Sequence, residues 1–230
     1  MRIDIWSDVV CPWCYIGKRR LESALADFPH EVDVRWHAFE LDPQAPTRRE
    51  GTYDERLAEK YGSSLPEAAA MTANMTTVAA QDGLEFRFDV AKPGNTFDAH
   101  RLLHLAGTRG VQDALKERLF RATFTDGEPI ADRDVLVRLG VEAGLDAAEA
   151  RQVLDSQAFA EEVRDDEAQA RAMGISGVPF FVVDGKYGVS GAQPSELLLQ
   201  VLNRAWDESS PLHMVGAATA DGCEGDACAV

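Results

Sequence analysis

The chain of 230 residues has few cysteines, no long apolar run and a shortage of basic residues. Its four cysteines are too few for a disulfide scaffold. No apolar run approaches the roughly 20 residues of a membrane-spanning helix. Lys and Arg total 23 against 39 Asp and Glu, a formal net charge of −16. This balance argues against nucleic acids and anionic membranes as partners, because both reward clustered basic residues.

The first residues also lack the apolar segment of a secretory signal peptide. Positions 1–8 alternate around Ile3 and Ile5 and include two aspartates. We therefore expect a cytoplasmic protein. In a reducing compartment, two closely spaced cysteines indicate catalysis or metal binding more than a structural cross-link.

Cys11 and Cys14 form such a pair in the motif Cys11-Pro12-Trp13-Cys14. A strand pattern over residues 2–7 precedes it, and a helical pattern runs from about Pro12 to Phe28. A helix N-terminus favours a thiolate through its unpaired N–H groups and about half a positive charge. The helical spacing turns Cys14 inward, so we predict Cys11 at the exposed tip as the attacking thiol and Cys14 as the resolving thiol. The alternatives are a buried stapling disulfide and half of a zinc site, for which no further ligands stand nearby.

The rest of the chain alternates between strand and helix patterns. Residues 31–38 alternate polar and apolar, which predicts a second strand. Strand patterns resume at 177–183, where Asp184-Gly185 predicts a two-residue turn into 186–189. A last helix starts near Gln193. Between the second strand and residue 177, only residues 84–90 hint at extended structure, and helices are predicted over 50–62, 65–82, 96–109, 111–124, 132–143, 146–154 and 157–173.

These patterns predict an α/β protein with a large helical insertion. The opening reads β-α-β with the dithiol at the first strand-to-helix turn, the edge where open α/β sheets place their chemistry. We predict a discontinuous domain of residues 1–42 and 174–208, a helical insertion domain of residues 43–173, and a C-terminal tail of residues 209–230.

This order of elements resembles a thioredoxin fold of the DsbA superfamily. Three motifs over residues 1–206 carry the resemblance: the dithiol motif, Asn95-Thr96-Phe97-Asp98-Ala99-His100-Arg101 and Gly174-Ile175-Ser176-Gly177-Val178-Pro179. The chain is most similar to the cytosolic FrnE-like thiol–disulfide oxidoreductases, and also to 2-hydroxychromene-2-carboxylate isomerases and kappa-class glutathione transferases.

The resemblance implies that the Val178-Pro179 peptide is cis and faces the dithiol, where its backbone would pair with an extended substrate. Without the resemblance, a trans proline opening a strand would be the simpler interpretation. The resemblance also places His100 in the cleft above the dithiol. His100 and His104 have metal-binding spacing, but the Glu of a metalloprotease motif is absent, so we expect a packed or surface pair and no metal site.

A second cysteine pair, Cys223 and Cys228, lies in the predicted tail. A disulfide closing so short a segment would contribute only about 2 kcal/mol of stability. The alternatives are a redox relay and partial metal ligation, and FrnE-like proteins are similar in carrying such a second pair. The roughly 12 residues from Pro211 to Cys223 span up to ~40 Å when extended, which is enough for exchange with Cys11 and Cys14.

The predicted function is a thiol–disulfide oxidoreductase, either a disulfide isomerase or a reductase, acting on protein disulfides or thiols. Trp13, Val178, Pro179 and His100 would bind substrate. We expect no bound cofactor and glutathione or thioredoxin as the electron partner. Trp13 carries no charge, so we expect a potential in the isomerase or reductase range and not near the strong-oxidant value of about −120 mV. The alternatives are a glutathione-dependent small-molecule isomerase or transferase and a non-enzymatic peptide-binding module.

Overall fold

The structure, a computed structural model, describes residues 1–209. The predicted tail with Cys223 and Cys228 therefore lies outside the described residues, apart from Ser209. Four strands form one mixed sheet in the order β2-β1-β3-β4. β1 (Arg2–Ser7) pairs in parallel with β2 (Asp33–Ala38) and antiparallel with β3 (Phe180–Val183), which continues into β4 (Tyr187–Ser190).

Helix α1 (Pro12–Ala26) connects β1 to β2, and α9 (Ser195–Ser209) follows β4. The two helices contact each other, and their apolar faces bury a core against the sheet. Both faces of β1 are covered, so five of its six residues are buried although its sequence alternates. This β-α-β and β-β-α framework is the thioredoxin fold that the resemblance implies.

Seven helices stand between β2 and β3, as the sequence predicts. Thr52 and Ser64 begin two of them with capping boxes, in which a Glu three residues later bonds back to the cap. These caps explain why the predicted helix 50–62 begins only at Tyr53. The helices are α2 (Tyr53–Tyr61), α3 (Leu65–Gln81), α4 (Phe97–Thr108), α5 (Gln112–Arg121), α6 (Arg133–Glu142), α7 (Ala147–Asp155) and α8 (Ala160–Ala172).

The structure differs from the sequence-based expectations in two short segments. Residues 84–90, which hint at extended structure, form no strand; the Arg87 N–H instead donates to the Phe124 carbonyl at 2.6 Å, in the π-helical turn Ala122–Asp126 that extends α5. The hairpin connection has three residues and not two, because Tyr187 pairs with Val183.

Buried polar contacts fix β2 to helix α8. Asp166 accepts hydrogen bonds from His37 Nδ1 at 2.6 Å and from the Ala38 N–H at 2.8 Å. His37 also contacts Asp4 through Nε2 at 2.8 Å and stacks on Trp6. This network joins β1, β2 and α8. It therefore fixes the helical insertion beside the end of the sheet that carries the dithiol. Among the helices of residues 1–209, none is both long and apolar enough to cross a membrane.

Candidate active site

The dithiol lies between the end of β1 and the first turn of α1. Cys11 is the N-cap of α1 with extended backbone angles, and Pro12 occupies the first helical position. Proline suits this position because its missing N–H would have no intrahelical partner. The Cys14 N–H donates to the Cys11 carbonyl at 3.0 Å. The sequence therefore predicted the local geometry of the motif correctly.

The exposure of Cys11 differs from the prediction. Cys11 was expected at an exposed tip, but its relative exposure is only 4%, and that of Cys14 is 0%. Both are free thiols packed in one apolar cluster with residues of the helical insertion, among them Ala79, Phe86 and Phe120. The periodicity of α1 gives no information about these later helices, which close over its N-terminus. Of the two thiols, only Cys11 still lines a cleft that opens at this point.

The cleft has a volume of about 900 Å³ and brings Cys11 together with two of the four predicted substrate-binding residues. Trp13 and Val178 line it, with Trp13 39% exposed at its mouth. The Cys11 thiol donates to the Val178 carbonyl at 3.5 Å, and the Val178-Pro179 peptide is cis. Pro179 lies behind the cleft, against Gly17 of α1.

His100 does not line the cleft, contrary to the expectation drawn from the resemblance. It is 1% exposed, and its Nε2 lies 3.4 Å from Asp8 Oδ1 beneath the dithiol. Burial lowers the pKa of His100. The other Asp8 oxygen accepts from the Leu41 N–H at 2.8 Å. His104, one turn further on, lies 2.9 Å from Asp166 instead, so the two histidines face different carboxylates.

Lys116 on α5 places an ammonium group below the two thiols. Its side chain is fully buried, with Nζ 3.4 Å from the Ser7 carbonyl and 5.1 Å from the centre of the Phe120 ring. Burial lowers the pKa of Lys116 to about 8, while the negative charges available to Cys14, Asp8 and Cys11 oppose that change. Sequence reasoning missed this residue, although helical spacing puts it on the same face as Leu119 and Phe120.

The pKa of Cys11 is set by its neighbour Cys14 and by burial. The Cys14 side chain, through its hydrogen bond, raises the pKa of Cys11 well above its ordinary value, and burial adds to this. Both effects oppose the thiolate form of Cys11. The helix N-terminus and the Lys116 ammonium act in the other direction and favour it. The site can thus hold one nucleophilic thiolate that is shielded from solvent.

Gly17 lets α1 approach the cis-proline segment closely. A Cβ at this position would stand 3.0 Å from Pro179 Cγ and 3.3 Å from the Phe181 ring. We expect Gly17→Leu to lower the free energy of unfolding by about 1–3 kcal/mol, since the larger side chain must push these neighbours apart. Urea denaturation of the reduced protein measures the change. Gly107→Leu, at an exposed position near the end of α4, is the matched control and should be neutral or stabilising, so equal losses would contradict the close packing.

Comparison with known proteins shows the family and supports the fold described above. The model of the DSBA-like thioredoxin domain matches residues 2–203. The chain belongs to the DSBA-like thioredoxin family. A probable DsbA oxidoreductase of Streptomyces coelicolor has a similar structure, with 47% identity and a TM-score of 0.87, covering 100% of this chain and 99% of its own.

Two further solved structures share the fold of this DSBA-like chain at lower identity. The cytosolic disulfide reductase DsbM of Pseudomonas aeruginosa, solved with GSH, is 21% identical with a TM-score of 0.63, covering 89% of this chain and all of its own. A 2-hydroxychromene-2-carboxylate isomerase is 16% identical with a TM-score of 0.67, covering 90% of this chain and 97% of its own. Membership of the family supports an oxidoreductase or isomerase activity in general.

Proposed function

We propose that the chain is a thiol–disulfide oxidoreductase of the FrnE-like type that reduces or isomerises protein disulfides in the cytoplasm. Cys11 is the attacking thiol and Cys14 the resolving thiol. The observation that carries this assignment is their difference in access: Cys11 lines the cleft, whereas Cys14 is fully buried behind it. A substrate sulfur in the cleft therefore meets Cys11 first.

The reaction proceeds in two exchanges. The Cys11 thiolate attacks one sulfur of the substrate disulfide, forming a mixed disulfide and releasing the other substrate sulfur as a thiolate that takes up a proton. Cys14 then loses its proton and attacks Cys11, which forms the Cys11–Cys14 disulfide and frees the second substrate thiol. The substrate gains two electrons and two protons, and an external thiol must restore the dithiol. Glutathione or thioredoxin is the proposed donor.

The walls of the cleft support a polypeptide substrate. Trp13, Tyr61 and Met71 expose 39%, 61% and 44% of their surfaces around its mouth. Exposed apolar residues grouped at one opening are typical of sites that bind other chains. The Val178 carbonyl beside Cys11 supplies a backbone acceptor for an extended segment of the substrate. In this proposal Pro179 positions the Val178 carbonyl without itself lining the cleft. His100 does not touch the substrate and acts only through its contact with Asp8.

A glutathione-dependent small-molecule isomerase or transferase is the second candidate. The cleft volume of about 900 Å³ favours it, because small-molecule sites reach this size. Two assays on the same protein separate the candidates: reduction of insulin with glutathione or thioredoxin as donor, and conjugation of glutathione to 1-chloro-2,4-dinitrobenzene. Insulin reduction without conjugation supports the oxidoreductase. Conjugation alone would replace it with the transferase, and absence of both would favour a peptide-binding module.

Cys223 and Cys228 are proposed to exchange disulfides with the active-site pair. The proposal depends on the reach of the tail and on the acidic neighbours Glu224 and Asp226, which disfavour a thiolate and make the pair a slow attacker. In a Cys14→Ser protein we expect a mixed disulfide between Cys11 and one of the tail cysteines, detected by peptide mapping without reductant. If no such cross-link forms under mild oxidation, the relay is wrong.

A further inference from the structure

Helix α2 forms one wall of the cleft and has no buried residue. Tyr53, Arg56, Leu57 and Lys60 all line the cleft, and their spacing places them on one face of the helix. This face therefore presents two cations, an aromatic ring and an aliphatic side chain to whatever enters the space in front of Cys11.

Two of the three acidic residues of α2 make hydrogen bonds outside the cleft. Asp54 accepts a hydrogen bond from Thr72 Oγ1 at 2.8 Å, which ties α2 to α3. Glu55 accepts from the Thr52 N–H at 2.7 Å in the capping box. Both carboxylates are thus engaged in these hydrogen bonds, and Glu55 compensates the charge of Arg56 only in part.

Arg56 has hydrogen-bonding capacity that the described residues do not use. Its Nη1 donates to the Gly51 carbonyl at 2.7 Å, while Nη2 is buried and finds no partner within residues 1–209. A guanidinium nitrogen without a partner is costly where water has poor access. A carboxylate in the cleft would satisfy it once Arg56 turns this nitrogen toward the ligand, because the guanidinium fork matches the two oxygens of that group.

The carboxylates that line the cleft leave this charge largely uncompensated. Asp42 is paired with Arg49, and Asp8 is buried and accepts from the Leu41 N–H. Glu59 is the third acid of the lining, and neither Arg56 nor Lys60 is among its ion-pair partners in the described part of the chain. In a chain of net charge −16, two cations lining the same cleft as the attacking thiol point to an anionic ligand.

We propose that Arg56, with Lys60 beside it, forms a carboxylate-binding subsite of the cleft. The preferred substrate then carries a carboxylate within reach of the sulfur that Cys11 attacks. The carboxylate belongs either to a small organic disulfide or to an acidic residue near the cysteine of a peptide. This inference rests on the proposed disulfide exchange at Cys11.

The first test uses three small linear disulfides with reduced protein: 3,3′-dithiodipropionate (anionic), bis(2-hydroxyethyl) disulfide (neutral) and cystamine (cationic). For each, the second-order rate of the variant is divided by that of the wild type. We expect Arg56→Gln to slow the diacid at least about fivefold, to change the neutral disulfide less than about twofold, and to leave cystamine unchanged or faster. Lys60→Gln should slow the diacid less than Arg56→Gln does, and the three disulfides should be affected in the same order.

Arg48→Gln is the matched control. It removes the same charge from the exposed segment before α2, outside the cleft, and should leave all three rates unchanged. The second test compares two pentapeptide disulfides that differ only in Glu or Gln two residues from the cysteine. Loss of the Glu preference in Arg56→Gln identifies an acidic peptide as the source, and an effect on the diacid alone identifies a small acid.

Equal slowing of all three small disulfides by Arg56→Gln, or no effect on either the diacid or the Glu peptide, would overturn the subsite. Failure of the proposed disulfide exchange at Cys11 would give another result. The reduced wild type would then react with none of the disulfides faster than a free thiol does. Circular dichroism of each variant shows whether a slower rate reflects misfolding. In that case Arg56→Lys, which keeps the charge, replaces Arg56→Gln and should retain part of the preference.

Discussion

Cys11→Ser is expected to lose insulin reduction by at least about 10³-fold, because a serine hydroxyl does not attack disulfides. Cys14→Ser should lose turnover almost as fully for a different reason. Its Cys11 still attacks, but Cys14 no longer resolves the product, so Cys11 accumulates in a mixed disulfide with insulin or with the tail cysteine that displaces it. Mass spectrometry after acid quenching measures that adduct, and the rate assay measures the turnover.

The contrast between the two variants depends on the access of each sulfur and not on the presence of two thiols. Cys11 borders the cleft next to the Val178 carbonyl, while Cys14 has 0% exposure behind it. Under brief treatment with iodoacetamide, reduced wild-type protein should therefore be alkylated at Cys11 first. An insulin adduct on Cys14 in the Cys11→Ser protein would reverse the assignment, and the double serine variant controls for adducts at other sites.

Local signals in the sequence predicted much of the framework. Ile3 and Ile5 marked β1, and Pro12 marked the start of α1, which together placed Cys11 at the N-cap. Thr52 and Ser64, each followed by Glu at the third position, carry the start signals of their helices. Each of these features depends on residues within one or two turns of chain, which explains why a sequence pattern reports them.

The environment of the thiols could not be predicted in this way. Cys11 is buried because Phe86 and Phe120, more than 70 residues further along the chain, pack around the start of α1. Lys116 and Arg56 occupy ordinary helical positions, and only the packing of α5 and α2 brings Lys116 to the end of β1 before the dithiol and Arg56 into the cleft that Cys11 lines. His100 was expected in the cleft but lies below it, because α4 turns this residue toward Asp8.

Lys116→Met is expected to stabilise the folded protein at neutral pH. The pKa of Lys116 is about 8 against an ordinary value of 10.5, mainly because burial disfavours the ammonium. The unfolded chain holds this proton more tightly, so folding with a charged Lys116 costs about 3 kcal/mol below pH 8. The cost shrinks as pH rises from about 8 to 10.5. The gain from Met should therefore be largest near pH 7 and fade above pH 8.

Urea denaturation in a background with Cys11→Ser and Cys14→Ser measures this gain without interference from the thiols. Lys18→Met is the matched control, since Lys18 is also buried but lies near three carboxylates: Glu22, Asp113 and Glu117. Burial lowers the pKa of Lys18, yet these acids outweigh burial and raise it overall. Lys18→Met should therefore destabilise the protein. If Lys116→Met also destabilised the protein, the cost of burying the Lys116 ammonium would have to be offset by its interactions in the folded state.

The same substitution is expected to slow the chemistry that the dithiol performs. Without the Lys116 ammonium, the Cys11 thiolate loses the stabilisation of a buried cation, so it should form only at higher pH. The rate of Cys11 alkylation by iodoacetamide, measured from pH 5 to 10, should then fall about tenfold near pH 7 and recover at high pH. Lys18→Met should leave this profile in place. An unchanged profile in Lys116→Met would mean that the helix N-terminus alone supports the thiolate.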